Sequence, residues 1–101
     1  MNTLTARETM QDFKTKIDAI QSEIQRTQIR KKLSSNFWFN YAKKYVDVGE
    51  RFCKEMEAFP TAETDELVDD GYALAVDVDV NVRRCIETAY FVKLLESTKG
   101  A

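Results

Sequence analysis

An all-α fold is what this sequence predicts, on three observations. Only three glycines and one proline, Pro60, occur in 101 residues, too few for the many tight turns of a β fold. Apolar residues recur at intervals of three and four over long stretches on both sides of Pro60. Strand-like alternation of apolar and polar residues appears only in two brief runs, around Phe37 and around Val78. The expected architecture is a single domain of three long helices, about 5–33, 35–58 and 62–97, packed as a bundle and forming a homodimer. A fourth helix arises if the last one breaks near 77–81.

The first helix rests on Met10, Phe13, Ile17, Ile20, Ile24 and Thr27, spaced alternately three and four apart. This is a narrow heptad seam, surrounded by polar residues such as Gln11, Asp18 and Gln25. With fewer than three full heptads, it suits a seam within a bundle better than a seam between chains.

Ser34 or Ser35 is the expected N-cap of the second helix, since a serine oxygen can accept a free N–H of the first turn. Its apolar face runs from Trp38 through Tyr41, Tyr45, Val48 and Phe52 to Met56. Charges on the opposite side form four-apart pairs, Lys43–Asp47, Asp47–Arg51 and Glu50–Lys54. Gly49 lies inside the apolar stripe at a propensity cost of about 1 kcal/mol, so a neighbouring helix is expected to cross closely there. Pro60 closes the segment.

The last helix must accommodate "AVDVDVNV", residues 75–82. Stepping 100° per residue collects Leu67, Val68, Gly71, Leu74, Ala75, Val78, Val82, Cys85, Ile86, Ala89 and Val92 within one 120° sector, with Leu74 at the origin. A stripe that long outweighs an alternation of four valines, so helix is the reading. β-Branched residues are poor helix formers, and that is why a break at 77–81 enters the expectation, with Asp79 as a new cap. A calcium loop is excluded, because the position that needs glycine is Val82 and the one that needs glutamate is Thr88.

Composition removes most chemistries. There is no histidine, hence no Ser-His or Cys-His nucleophile system and little prospect of a zinc site. No glycine-rich phosphate loop occurs. Cys53 and Cys85 lack metal spacing and are read as small buried hydrophobes in a reducing cytoplasm. The longest uncharged run, Leu33 to Ala42, is far too short to span a membrane. No enzyme activity, cofactor or metal is expected.

Charge is divided along the chain. Residues 1–45 hold nine Lys/Arg against four Asp/Glu, and residues 46–101 hold six against thirteen. Arg26, Arg30, Lys31, Lys32, Lys43 and Lys44 surround an aromatic-rich stretch, a combination that can bind nucleic acid if rings are left free. Glu63, Asp65, Glu66, Asp69 and Asp70 form an acidic surface that would suit an inhibitor of a nucleic-acid-binding protein. Their helical spacing can also hold Mg²⁺, but a solvated acidic helix start explains them more simply.

The preferred reading comes from the last helix, which carries Tyr72, Val76, Val80, Phe91 and Leu94 on the side away from its core stripe. A surface helix normally has one apolar face, and this one has nearly two. The expected function is a cytoplasmic protein–protein interaction module, an adaptor, small chaperone or inhibitor, with those five residues as its contact surface.

Overall fold

The computed structural model describes residues 5–30 and 32–99, and among them there are helices and no strand. The order is α1 (Ala6–Arg30), α2 (Ser35–Met56), a five-residue α3 (Thr61–Asp65) and α4 (Val68–Lys99). Lys31 and the side chain of Arg30, both in the basic set, lie outside the described residues.

α1 and α2 start where their free N–H groups find side-chain acceptors. Thr5 caps α1: its hydroxyl accepts the Glu8 N–H at 3.1 Å and donates to the Glu8 carboxylate at 3.2 Å. Ser34 is the N-cap of α2, as expected, but its side chain makes no cap bond. The Ser35 N–H donates instead to Glu96 Oε1 of α4 at 3.2 Å. Glu63 of α3 serves α1 in the same way, accepting the Ala6 N–H at 2.9 Å. A carboxylate at a helix N-terminus satisfies an orphan donor and meets the positive end of the dipole. Here the two carboxylates also tie together elements about sixty residues apart in sequence.

α2 ends through short turns, Ala58 N–H to Glu55 O at 3.3 Å and Phe59 N–H to Met56 O at 3.2 Å, before Pro60. Proline has no N–H and cannot continue the helix. The chain is interrupted again at Glu66 and Leu67, not at 77–81, where α4 runs unbroken. Leu67 explains the position of the interruption, because its side chain drops into a cluster with Ala6 and Met10 and is almost completely buried. Asp79 caps nothing. It pairs with Arg83 at 3.4 Å one turn on, while Asn81 Nδ2 donates to the Asp77 carbonyl at 2.8 Å. The polar residues of the alternating stretch are thus engaged within the helix, and packing of Val78 and Val82 outweighs the weak local propensity.

The three long helices run up, down and up. Phe13 stacks on Phe52 at 4.2 Å and Glu23 meets Lys44, so α1 and α2 are antiparallel. Glu96 at the start of α2 makes α4 antiparallel to α2. α2 packs most extensively on α4, next on α1, and α1 touches α4 at few points. Ile17 and Tyr45 are each 1% exposed and lie among Phe13, Ile20, Leu33, Tyr41, Ala42 and Cys85 at the core. The α1 seam is therefore spent within the chain. The result is a rod of 58 × 22 × 21 Å, with a radius of gyration of 16.6 Å against about 13 Å for a compact domain of this length.

Several local expectations need correction. Val68, Ala75 and Ile86 fall outside the core, which uses a narrower strip of α4 than the sequence stripe. Cys53 is exposed and only Cys85 is buried; both are free thiols. Lys43, Asp47, Glu50 and Lys54 form no ion pair among the described residues, in keeping with the small gain such exposed pairs offer. α4 does cross α2 at Gly49, but loosely: a Cβ there would lie 3.7 Å from Val78 Cγ1, an ordinary contact.

Candidate functional site

α4 is 32 residues long and its apolar residues are spread around most of its circumference. Leu74, Val78, Val82, Cys85 and Ala89 face the bundle and are buried or half-buried. The opposite side is where the sequence placed its contact residues, and all five are exposed: Tyr72 72%, Val76 44%, Val80 38%, Phe91 67% and Leu94 64%. Tyr90 and Leu95 extend the patch. Tyr90 also holds Phe39 of α2 edge-on at 5.4 Å, so one edge of the patch is buttressed by the bundle. Arg83, Arg84 and Glu87, all exposed, divide these apolar residues into two stretches, Tyr72 to Val80 and Tyr90 to Leu95.

Among the described residues, the basic segment does not assemble into a comparable site. Arg26, Lys32 and Lys43 are exposed, on α1, in the connection and on α2 respectively. Lys44 is engaged: its Nζ lies 3.4 Å from Glu23 Oε1 and 5.2 Å from the centre of the Tyr41 ring. The rings required for base stacking are mostly consumed by packing. Tyr41 and Tyr45 are core residues, Trp38 meets Tyr41 edge-on at 6.4 Å, and Phe39 sits against Tyr90.

The acidic set divides into two kinds of residue. Glu63 is half-buried and acts as the α1 cap described above. Asp65 and Glu66 are exposed at the end of α3, and Asp69 and Asp70 are exposed in the first turn of α4, where the helix dipole favours them. No group of three or more His, Cys, Asp or Glu side chains is arranged to hold a metal ion among the described residues.

Two grooves border α4. One, of about 870 Å³, lies where the α1–α2 connection meets the last turns of α4, floored by Leu33, Trp38, Val92 and Leu95 and flanked by Lys32 and Glu96. The other, of about 600 Å³, runs between α2 and α4 beside Gly49 and Val78 and exposes Cys53. Neither was legible from periodicity, since each depends on how far apart two helices settle. Leu95 and Ile29, the latter 85% exposed, were also missed, although their positions off the helical stripes were the available signal.

Two core groups carry shifted acidities. Burial pushes the Tyr45 hydroxyl up to about 12, with Cys85 and then Asp77 adding in the same direction. Burial also raises the Cys85 thiol, leaving it a packing group rather than a nucleophile. No helix among the described residues is long and apolar enough to cross a membrane. Comparison with known proteins returns nothing similar: no family model, curated protein or solved structure matches this chain.

Proposed function

We propose that this chain is a non-enzymatic protein–protein interaction module, an adaptor, small chaperone or inhibitor, that binds through the outward face of α4. The observation that supports the reading is the exposure of Tyr72, Val76, Val80, Phe91 and Leu94 on one side of a single helix. Large apolar side chains flanked by charges are the composition of a contact surface, with aromatics as anchors and a polar rim. A reducing, cytoplasmic setting belongs to the same proposal and accords with two unpaired thiols.

The test is a photo-reactive phenylalanine analogue placed at Phe91, with a second placed at exposed Lys43 as the control. Irradiation in cells that express the protein should give protein adducts from the first position and few from the second. Equal yields from both, or none from Phe91, would reject the face as a binding surface.

A second reading draws on Asp65, Glu66, Asp69 and Asp70, four exposed carboxylates within six residues. They favour an acidic inhibitor that occupies a basic groove of a nucleic-acid-binding protein. Binding that survives Val80→Asp but is lost with Asp69→Lys and Asp70→Lys would select it.

A further inference from the structure

We infer that the occupant of the α4 face is a second copy of this chain, laid antiparallel with the two-fold axis level with residue 85. The inference rests on the reading of that face as a protein-binding surface and names its partner. It starts from spacing: Ala73, Val76, Val80, Arg83, Glu87, Tyr90, Leu94 and Ser97 follow one another at intervals of three, four, three, four, three, four and three. That is the a/d spacing, with Arg83 and Glu87 as two charged layers between Val76 and Val80 on one side and Tyr90 and Leu94 on the other, and every one of the eight residues is exposed. Val78, Cys85 and Val92, on the far side of the helix, are buried or half-buried in the bundle, so the seam points squarely away from its own core.

Charge then chooses the partner and its direction. In an antiparallel pair, residues equally distant on either side of position 85 face each other. Val76 meets Leu94 of the second copy, Val80 meets Tyr90, and Arg83 meets Glu87, each pair occurring twice by symmetry. A parallel pair in register would set Arg83 against Arg83 and Glu87 against Glu87 in the middle of the seam, two like-charge layers in succession. The antiparallel arrangement turns both into opposite-charge layers, and an isologous interface of this kind closes on itself. The flanking residues meet slightly out of level: on one flank Asp79 and Lys93 of the copy, and Ile86 and its own copy, lie within two residues of each other along the axis; on the other, Arg84 approaches Arg84, a like-charge contact with Glu87 alongside. Arg83 loses little by turning to the new partner, since its bond to Asp79 is 3.4 Å long with both side chains about two-thirds exposed.

The seam spans roughly 36 Å at 1.5 Å per residue, an interface along one helix and therefore at the small end of specific contacts. Association in the micromolar range is the corresponding expectation. The experiment is light scattering or sedimentation from about 1 to about 300 μM on the parent, Arg83→Glu, Glu87→Arg and the double variant, with helicity checked for each. The parent should approach twice the 11.7 kDa chain mass at the upper end. Each single reversal places like charges in both central layers and should weaken association about tenfold or more. The double variant exchanges the two signs, restores both layers and should return to within about threefold of the parent.

A parent that is monomeric at every concentration overturns the second copy as occupant. A dimer indifferent to either single reversal, which is the behaviour of a parallel pair, overturns the antiparallel arrangement about residue 85. Photo-crosslinking from Phe91 separates this failure from that of the underlying reading. Adducts to other proteins from a monomeric parent leave the face standing as a binding surface with a different occupant; a monomer without adducts removes both.

Discussion

Replacing Gly49 with alanine is expected to stabilise the protein, although the glycine lies where two helices cross. Gly49 is in the interior of α2, where glycine costs about 1 kcal/mol relative to alanine because the unfolded chain loses more freedom. The steric side of the balance is small. An added Cβ would have Val78 Cγ1 as its nearest neighbour at 3.7 Å, so nothing has to move. The methyl would enter the groove of about 600 Å³ between α2 and α4, gaining a fraction of the roughly 0.8 kcal/mol that a fully buried carbon brings. Together these give about 1–1.5 kcal/mol. The urea midpoint should rise with an unchanged slope, and Tm by roughly 4–10 °C for a domain of this size. A lower midpoint for Gly49→Ala would mean instead that α2 and α4 sit closer than a methyl group allows.

Two further predictions concern the core and the caps. Tyr45 holds its proton to about 12 in the folded state, whereas an exposed tyrosine ionises near 10. A raised pKa contributes stability that is complete below pH 10 and is lost as pH climbs to 12, on the order of 2 kcal/mol, with the raised Cys85 thiol acting in the same sense. Denaturation midpoints from pH 8 to 12 should therefore fall less steeply for Tyr45→Phe than for the parent, and equal slopes would contradict the assignment. Glu96→Ala should cost about 1 kcal/mol by removing the acceptor at the start of α2, with Glu96→Gln intermediate. A loss from Glu96→Ala no greater than that of an exposed control such as Glu50→Ala would show that α2 needs no acceptor from α4.

Periodicity made the helices legible because each has a long apolar stripe, and it located their ends near Ser34 and Pro60, where capping and proline chemistry are local. It failed at Glu66–Leu67 for a reason of distance. Nothing near Leu67 announces a break; the cause is a pocket between Ala6 and Met10, sixty residues earlier in the chain. The caps supplied by Glu63 and Glu96 were hidden in the same way. Glu63 in particular reads as one more surface carboxylate until α1 is placed beside it. The nucleic-acid candidate set had the opposite weakness: Lys44 and Phe39 look available in sequence and are occupied in the fold by Glu23 and Tyr90. The outward face of α4 was legible because it depends only on helix geometry once the core side is known.

The alternation that made residues 75–82 ambiguous also gives the sharpest internal control. Val78 and Val82 pack on the core, while Val76 and Val80, two residues away in each case, are 44% and 38% exposed on the opposite side. All four carry the same propensity penalty relative to alanine, up to about 0.7 kcal/mol. Truncating Val78 or Val82 removes two packed methyl groups, a loss of about 1.6 kcal/mol that outweighs the regained propensity. For Val76→Ala and Val80→Ala the terms nearly cancel, so stability should stay within about 0.5 kcal/mol of the parent when measured at concentrations where the chain is monomeric. Residues that lower helix propensity without contributing to the core need another use, and association at high concentration is where their truncation should register. A loss above about 1 kcal/mol from Val76→Ala or Val80→Ala under monomeric conditions would place them in the core and remove the case for an α4 interface.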